Sequence, residues 1–135
     1  MNEAFCEFCQ LYRQKTSKGS PIIEENDEFF ALHDLDDASA VCHILLCTKE
    51  HIESALDVKE PAQLLRMQAY LEQVLSSIYQ EKFSSPAARE CFRIGFHLPP
   101  LISVYHIHLH GFILPFKNKL IGSYKYSYGP VFKSV

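Results

Sequence analysis

Short apolar stretches separated by polar turns in the first half of the chain predict three strands. Ahead of them, Cys6–Arg13 predicts a short helix or knuckle. Pro21–Glu25 and Phe29–His33 are separated by a short polar turn, which is typical of a β-hairpin. The apolar run VCHILLC, Val41–Cys47, is short and rich enough in β-formers to predict a buried strand.

The second half predicts one long amphipathic helix followed by two strands. The helix covers Asp57–Phe83, because apolar side chains recur there at spacings of three and four residues. These side chains are Leu64, Met67, Leu71, Val74, Leu75 and Ile78. Cys91–His97 and Val104–Leu114 predict the remaining strands. Together the elements predict an α+β domain in which helix covers an antiparallel sheet.

Length and charge limit the classes of protein that fit. The chain has 135 residues, which suits a single domain with a hydrophobic core. Apolar residues make up 47% and charged residues 21%, as is usual for a soluble globular protein. The formal net charge is -3 and no run of five or more like charges occurs, which disfavours nucleic acid and anionic membrane as partners.

The cysteines and the first residues favour a reducing compartment. The chain has five cysteines, an odd number, and its start MNEAFCEFCQ lacks the basic and apolar regions of a secretory signal. An extracellular disulfide framework is therefore not expected. The apolar stretches are too short to span a membrane. We expect a cytoplasmic protein, with the nucleus as a second location.

The sequence YHIHLHGF places three histidines, His106, His108 and His110, at every second position. A strand over Val104–Leu114 would bring their imidazoles to one face, because alternate side chains of a strand point the same way. The opposite face would be apolar and would pack against the helix. It carries Tyr105, Ile107 and Leu109. Metal hydrolases and cupins also use His-x-His but add an acidic ligand, and no acidic residue follows His110.

The sequence CEFC contains Cys6 and Cys9 in CxxC spacing. The pair alone fits a redox site, half of a zinc site or two buried thiols. A thioredoxin-like motif would require a βαβ pattern, which this chain lacks. A tetrahedral zinc site needs four nitrogen or sulfur ligands, and the chain has no second CxxC. His51, after the buried strand, and His106 are the candidate donors.

Three further residues fit two interpretations each. His43 lies within the buried strand and is either a hydrogen-bonded core residue or part of a histidine cluster. Asp34 ends the second strand and is either a turn former or a carboxylate for ribose hydroxyls. Ser103 precedes the histidine row and is either a strand-entry residue or a hydroxyl for a phosphate. A glycine-rich phosphate loop is absent from the sequence.

The motifs together resemble those of a known family. HIHLHGF is similar to the histidine triad signature His-φ-His-φ-His-φ-φ, in which φ is apolar. The chain therefore resembles the histidine triad (HIT) superfamily and, within it, the Hint branch. The stretch RIGFHLPPLISVYHIHLH is similar to the third Hint type, which carries Gly-Phe-His-x-Pro-Pro before the triad. The resemblance runs from CEFC to about Pro115.

The resemblance implies a fold and a ligand class. The expected fold is a five-stranded antiparallel sheet with two helices, formed by a single HIT domain over 1–135. Its core would span about 5–115, and the tail 116–135 has no assigned role. The resemblance also implies a homodimer that binds purine nucleoside monophosphates, AMP or GMP, beside the triad.

Site residues follow from the resemblance by position. His108 would be the nucleophile, His110 would contact the phosphate, and His43 would support them. Ser103 would position the phosphate or the leaving group, and Asp34 would hold the ribose. The base pocket would contain Phe8 and Leu32. Structural zinc would be held by Cys6, Cys9, His51 and His106.

These roles imply hydrolysis in two steps. His108 would attack the α-phosphorus of a nucleoside 5′-phosphoramidate or an aminoacyl adenylate, and water would then release the nucleoside monophosphate. A backbone carbonyl is expected to hold the other nitrogen of His108. The alternatives are a nucleotide-binding regulatory dimer with little turnover and a zinc-stabilised interaction module.

Overall fold

The computed structural model describes residues 3–34, 40–98, 102, 104–116 and 132–135. Within these residues, six antiparallel strands form one sheet with a short helix on one face and a long helix on the other. The elements are α1 (Glu7–Arg13), β1 (Ile22–Glu25), β2 (Phe29–His33), β3 (Ala40–Thr48), α2 (Pro61–Phe83), β4 (Phe92–His97), β5 (His108–Phe116) and β6 (Phe132–Lys133). The strand order is β1-β2-β3-β5-β4-β6. The predicted α+β class is confirmed.

Helix α2 covers one face of the sheet. Its buried residues are Met67, Leu71, Val74 and Leu75. They pack in one cluster with the side chains of the central strands that point to this face, among them Phe29, Ala31, Ile44, Leu46 and Leu109. Gly111 of β5 permits the close approach, because a Cβ there would lie 2.8 Å from Cδ2 of Leu71. In the described part of the chain no helix is long and apolar enough to cross a membrane.

The helix begins later than the apolar periodicity predicts. We expected it from Asp57, but α2 starts at Pro61, which occupies the first helical turn. Asp57 instead closes a 3₁₀ turn, Ala55–Asp57, where its carboxylate accepts a hydrogen bond from Ser54 Oγ at 2.9 Å. The acidic residue therefore serves a local turn rather than the helix cap.

The candidate catalytic and metal-binding residues lie on the other face of the sheet. Helix α1 packs there in a cluster of Cys6, Phe8, Cys9, Phe30, Leu32, Leu45 and Cys47. In the β3–β5 register Cys47 is opposite His108 and Leu45 is opposite His110. Paired residues of adjacent strands share a face, so both histidines lie on the side of α1.

The start of β5 differs from the prediction. We expected a strand from Val104, but β5 begins at His108. The Ile107 N–H donates to the carbonyl of Ile52 at 2.6 Å, so the chain here is bound to the segment after β3 rather than to a sheet neighbour. Tyr105, expected on the apolar face, is 37% exposed. His106 therefore lies outside the strand that holds the other two histidines of the row.

The strand count also differs from the five that the resemblance implied. The additional strand in the described residues is β6, in which Phe132 pairs with His97 and Lys133 with Phe96 of β4. The Phe132 side chain is fully buried. Gly95 makes room for it, because a Cβ at this position would lie 2.6 Å from the Phe132 ring. A strand of two residues is too short to leave an alternating pattern in the sequence.

Candidate functional site

His108 is held in one tautomer by the backbone. Its Nδ1 lies 2.7 Å from the carbonyl oxygen of His106. A carbonyl only accepts, so Nδ1 carries the proton and Nε2 keeps its lone pair. Burial lowers the pKa of His108 to about 4, helped by the nearby His97 and His43 and opposed by this hydrogen bond and by Asp34. The structure thus has the carbonyl contact expected from the sequence, and the imidazole is neutral near pH 7.

His43 and His110 form a hydrogen-bonded pair beside His108. His43 Nε2 lies 2.9 Å from His110 Nδ1, and the two rings are stacked. His43 also stacks on Phe112, with ring centroids 4.1 Å apart. Both histidines are buried. The β3–β5 pairing therefore brings together the two residues that the sequence proposed as phosphate contact and support.

Asp34 lies at the end of β2 next to this pair. Its Oδ2 is 3.5 Å from Nδ1 of His43, and its backbone N–H donates to the His43 carbonyl at 3.0 Å. The carboxylate is about one-quarter exposed, whereas the His43 side chain is fully buried. The sequence pointed to ribose for Asp34, and that role stays a prediction. The structure adds a contact with a catalytic candidate that the sequence did not predict.

His97 is a member of this histidine cluster that the sequence analysis did not select. It ends β4, and its ring centroid is 4.7 Å from that of His110 and 5.1 Å from that of Phe132. Gly95 pairs with His110, so the alternation of β4 turns His97 to the same face. The sequence shows His97 at the end of a predicted strand, in GFH. Its place in the site could be predicted only if the pairing of β4 with β5 were known.

Four ligand atoms converge at the edge of this face next to α1. Sγ of Cys6 and Cys9 and Nδ1 of His51 and His106 all lie within 4.8 Å of one another. The two nitrogens are 3.3 Å apart. Cys6 Sγ lies 3.3 Å from His106 Nδ1, and Cys9 Sγ lies 3.4 Å from Nδ1 of both histidines. A tetrahedral zinc ion with typical bond lengths holds nitrogens about 3.3 Å apart and a sulfur and a nitrogen about 3.5 Å apart. The donor set and its spacing fit zinc.

A backbone hydrogen bond also fixes His106 in the tautomer that a metal ligand requires. Its Nε2 donates to the carbonyl of Thr48 at 2.7 Å, which leaves Nδ1 without a proton and facing the thiols. Burial lowers the pKa of His106 to about 4, so the ring is neutral as a ligand must be. Cys47 lies on the same face but outside the set, and burial next to Cys6 and Cys9 raises the pKa of its thiol well above the ordinary value.

The remaining predicted residues have different outcomes. Phe8 is buried with its ring centroid 5.0 Å from that of His108, and Leu32 is buried in the same cluster. Both therefore lie on the face of the sheet that carries His108, and their role in a base pocket stays a prediction. Ser103 lies outside the described residues.

Comparison with known proteins agrees with this geometry. The family model described as "Scavenger mRNA decapping enzyme C-term binding" matches residues 5–125. The bifunctional adenosine 5′-phosphosulfate phosphorylase/adenylylsulfatase HINT4 of Arabidopsis thaliana is 33% identical over 117 residues, which cover 86% of this chain and 74% of that protein. The adenosine 5′-monophosphoramidase HINT3 of Xenopus tropicalis is 28% identical over 106 residues, covering 78% of this chain and 65% of that protein.

A solved structure supports the same assignment at the level of the fold. A zinc-bound histidine triad family protein from Mycobacterium smegmatis superposes with a TM-score of 0.63 at 20% identity, covering 88% of this chain and 81% of that one. The resemblance inferred from the HIHLHGF motif is confirmed by the family model and by the named relatives. The chain therefore belongs to the histidine triad superfamily, in its Hint branch.

Proposed function

We propose that this chain hydrolyses nucleoside 5′-phosphoramidates or acyl adenylates and releases a nucleoside monophosphate. The observation that carries the proposal is His108, a neutral imidazole whose Nδ1 is bound to a carbonyl and whose Nε2 is available as a nucleophile. Binding alone does not require a side chain prepared in this way.

The first step is attack of His108 Nε2 on the α-phosphorus. The nitrogen–phosphorus bond forms while the bond to the leaving amine or carboxylate breaks, and a nucleotidyl-histidine results. An amine leaves after it has taken a proton from solvent, whereas a carboxylate leaves as the anion. In the second step water attacks the same phosphorus and loses a proton to solvent, the bond to His108 breaks, and the nucleoside monophosphate departs.

The other polar residues would stabilise the phosphoryl oxygens. The His43–His110 pair lies beside His108, and an N–H from His110 Nε2 would donate to a non-bridging oxygen. Ser103 remains the expected hydroxyl for the phosphate or the leaving group. Asp34 would hold the ribose hydroxyls, and Phe8 and Leu32 would line the base.

A structural zinc ion would be held by Cys6, Cys9, His51 and His106. When bound, it would supply no chemistry of its own, because four protein ligands leave no open position for water. The residues that hold it would fix α1 and His106, whose carbonyl binds His108. The donor geometry supports this proposal, and the Mycobacterium smegmatis protein is described as zinc-bound.

The names of the relatives support an adenosine nucleotide as the ligand. The Xenopus relative is named an adenosine 5′-monophosphoramidase, and the Arabidopsis relative acts on adenosine 5′-phosphosulfate by its name. The chain spans 65% of the Xenopus protein's length and 74% of the Arabidopsis protein's. Homodimer formation and a cytoplasmic or nuclear location are further parts of the proposal. A regulatory dimer with little turnover is the alternative.

Turnover of adenosine 5′-phosphoramidate tests the proposal. We expect AMP release by the purified protein and a loss on the order of 10³-fold or more in His108→Ala. His33→Gln is a matched control. In β2, Phe30 and Leu32 face α1, so the alternation of the strand turns His33 to the opposite face, away from His108. Equal AMP release by wild type and His108→Ala would exclude the proposed nucleophile. AMP binding without release would favour the regulatory dimer.

A further inference from the structure

The His43–His110 pair has to be protonated in a particular way if it is to hold a phosphate. His43 Nε2 and His110 Nδ1 are 2.9 Å apart, so one of them donates to the other. With two protons on the pair, a proton on Nε2 of His43 would leave its Nδ1 as a lone pair 3.5 Å from the Asp34 carboxylate, which is repulsive. The other arrangement places that proton on Nδ1 of His43 and forces His110 to donate from its own Nδ1. His110 Nε2 is then a lone pair and repels a phosphoryl oxygen.

A third proton reverses this arrangement. His43 then carries protons on both nitrogens and donates from Nε2, while His110 accepts at Nδ1 and keeps its proton on Nε2. His110 Nε2–H can now donate to a phosphoryl oxygen. The pair bears a positive charge in this state, and a buried charge needs a partner.

Asp34 is positioned to be that partner. Its Oδ2 lies 3.5 Å from His43 Nδ1, the nitrogen that does not face His110. The backbone N–H of Asp34 donates to the His43 carbonyl, which fixes the end of β2 beside the imidazole. The imidazoles that contact His110 besides His43 are those of His97 and His108. Arg93 alternates onto the same face of β4, and neither an imidazole nor a guanidinium supplies an anion.

We propose that Asp34 is a positioning residue whose carboxylate balances the positive charge of a His43–His110 pair that holds three protons when nucleotide is bound. It thereby makes His110 a donor to the phosphoryl group. This inference rests on the proposed function and deepens it. It adds an electrostatic role to a residue for which the sequence indicated only ribose.

A substrate without ribose hydroxyls separates the two roles. We compare adenosine 5′-phosphoramidate with its 2′,3′-dideoxy analogue, using wild type and Asp34→Asn. The asparagine retains hydrogen-bonding groups but not the charge. We expect kcat to fall on the order of tenfold to a hundredfold on both substrates, because a donor to the transition state is weakened. A kcat on the dideoxy substrate within about twofold of wild type would overturn the inference.

Asp27→Asn is the matched control for charge. Asp27 is exposed in the turn between β1 and β2, so the variant removes the same charge from the same hairpin away from the site. We expect its kcat to equal that of wild type. An equal loss in both variants would attribute the Asp34 effect to net charge alone and would contradict the inference.

The His43→Gln background tests whether Asp34 acts through His43. A glutamine amide can donate to His110 Nδ1 whatever the charge at position 34. We therefore expect Asp34→Asn to change kcat by less than about twofold in this background. The same loss in both backgrounds would show that Asp34 acts by another route.

Nitrogen-15 NMR of the imidazoles with AMP bound decides the question without turnover. We expect both nitrogens of His43 and Nε2 of His110 to carry protons in wild type, with one proton lost from the pair in Asp34→Asn. A neutral His43 in the wild-type complex would refute the inference. A protein that shows the three protons with AMP but cleaves no phosphoramidate would refute only the proposed function. Failure to bind AMP would refute both.

Discussion

His106 and His108 are two residues apart, and the backbone prepares them in opposite ways. The Nε2–H of His106 donates to the carbonyl of Thr48, so its Nδ1 is unprotonated and faces two thiols. The Nδ1–H of His108 donates to the carbonyl of His106, so its Nε2 is unprotonated and lies on the side of the other histidines. Burial lowers the pKa of both rings to about 4. The difference between them lies in the orientation and the surroundings of the free nitrogen.

The two histidine groups suit different chemistry for this reason. Around His106 lie the thiols of Cys6 and Cys9 and the imidazole of His51, a donor set that suits zinc. Around His108 lie the other imidazoles and the carboxylate of Asp34, an arrangement that suits a phosphoryl group. The first group also affects the second, because the backbone carbonyl of His106, a residue of the metal group, accepts the hydrogen bond that orients His108. Loss of a metal ligand should therefore lower turnover, whereas a substitution in the group around His108 should leave the zinc content unchanged.

The largest effect is expected from Cys9→Ser. The variant removes one of four ligands, so we expect bound zinc to be lost and Tm to fall by on the order of 10 °C. Turnover should fall as well, because the segment that holds His108 is no longer fixed. Metal analysis, thermal unfolding and AMP release measure the three effects. Cys91→Ser, which removes a half-buried thiol outside the set, should retain zinc. Unchanged zinc content in Cys9→Ser would contradict the assignment of Cys9 to the metal group and with it the difference between the two groups.

The next effect is expected from His110→Ala. This variant removes the proposed donor to the phosphoryl oxygen, so kcat should fall by roughly 10²- to 10³-fold. Zinc content should remain that of wild type, since His110 is outside the metal group. Steady-state kinetics and metal analysis on the same preparation provide the test. A rise in KM with unchanged kcat would mean that His110 contributes equally to substrate and transition state.

A smaller effect is expected from His97→Gln. His97 packs edge-on against His110 and also contacts Phe132, so its loss should loosen His110 without removing a donor. We expect kcat/KM to fall about tenfold, roughly the loss that follows from misplacing one hydrogen-bond donor. The comparison with Phe132→Leu in the same assay separates the imidazole from the packing around it. Wild-type kinetics for His97→Gln would remove this residue from the group.

Local patterns determined much of this architecture from the sequence. The predicted β2 has the observed bounds Phe29–His33, the buried run around Ile44 became β3, and α2 ends at Phe83 as expected. The CxxC pair together with His51 and His106 also assembled as proposed. The strands and the helix depend on residues close in sequence, and the four metal donors were implied by the resemblance to the family.

The start of α2 at Pro61 was missed for a local reason, the turn at Asp57, whereas the other features that were wrong or missed depend on contacts between distant segments. The His-x-His-x-His period continues through His106, but the Ile107 hydrogen bond to Ile52 ends the strand at His108. His97 joined the site only because β4 lies beside β5. Likewise the contact of Asp34 with His43 depends on how β2 meets β3. A periodic pattern indicates which residues of one strand share a face, but it does not indicate which residues of other segments lie beside them in the site.

Trapping of the covalent intermediate tests whether Nε2 of His108 attacks phosphorus. The protein is mixed with adenosine 5′-phosphoramidate, quenched in alkali within milliseconds because a phosphorus–nitrogen bond hydrolyses in acid, and mapped by peptide mass spectrometry. We predict an adenylyl group on His108 that forms before AMP appears and is absent in His108→Ala. Release of AMP with the adenylyl group on another histidine, or with no adduct at any time point, would contradict the account.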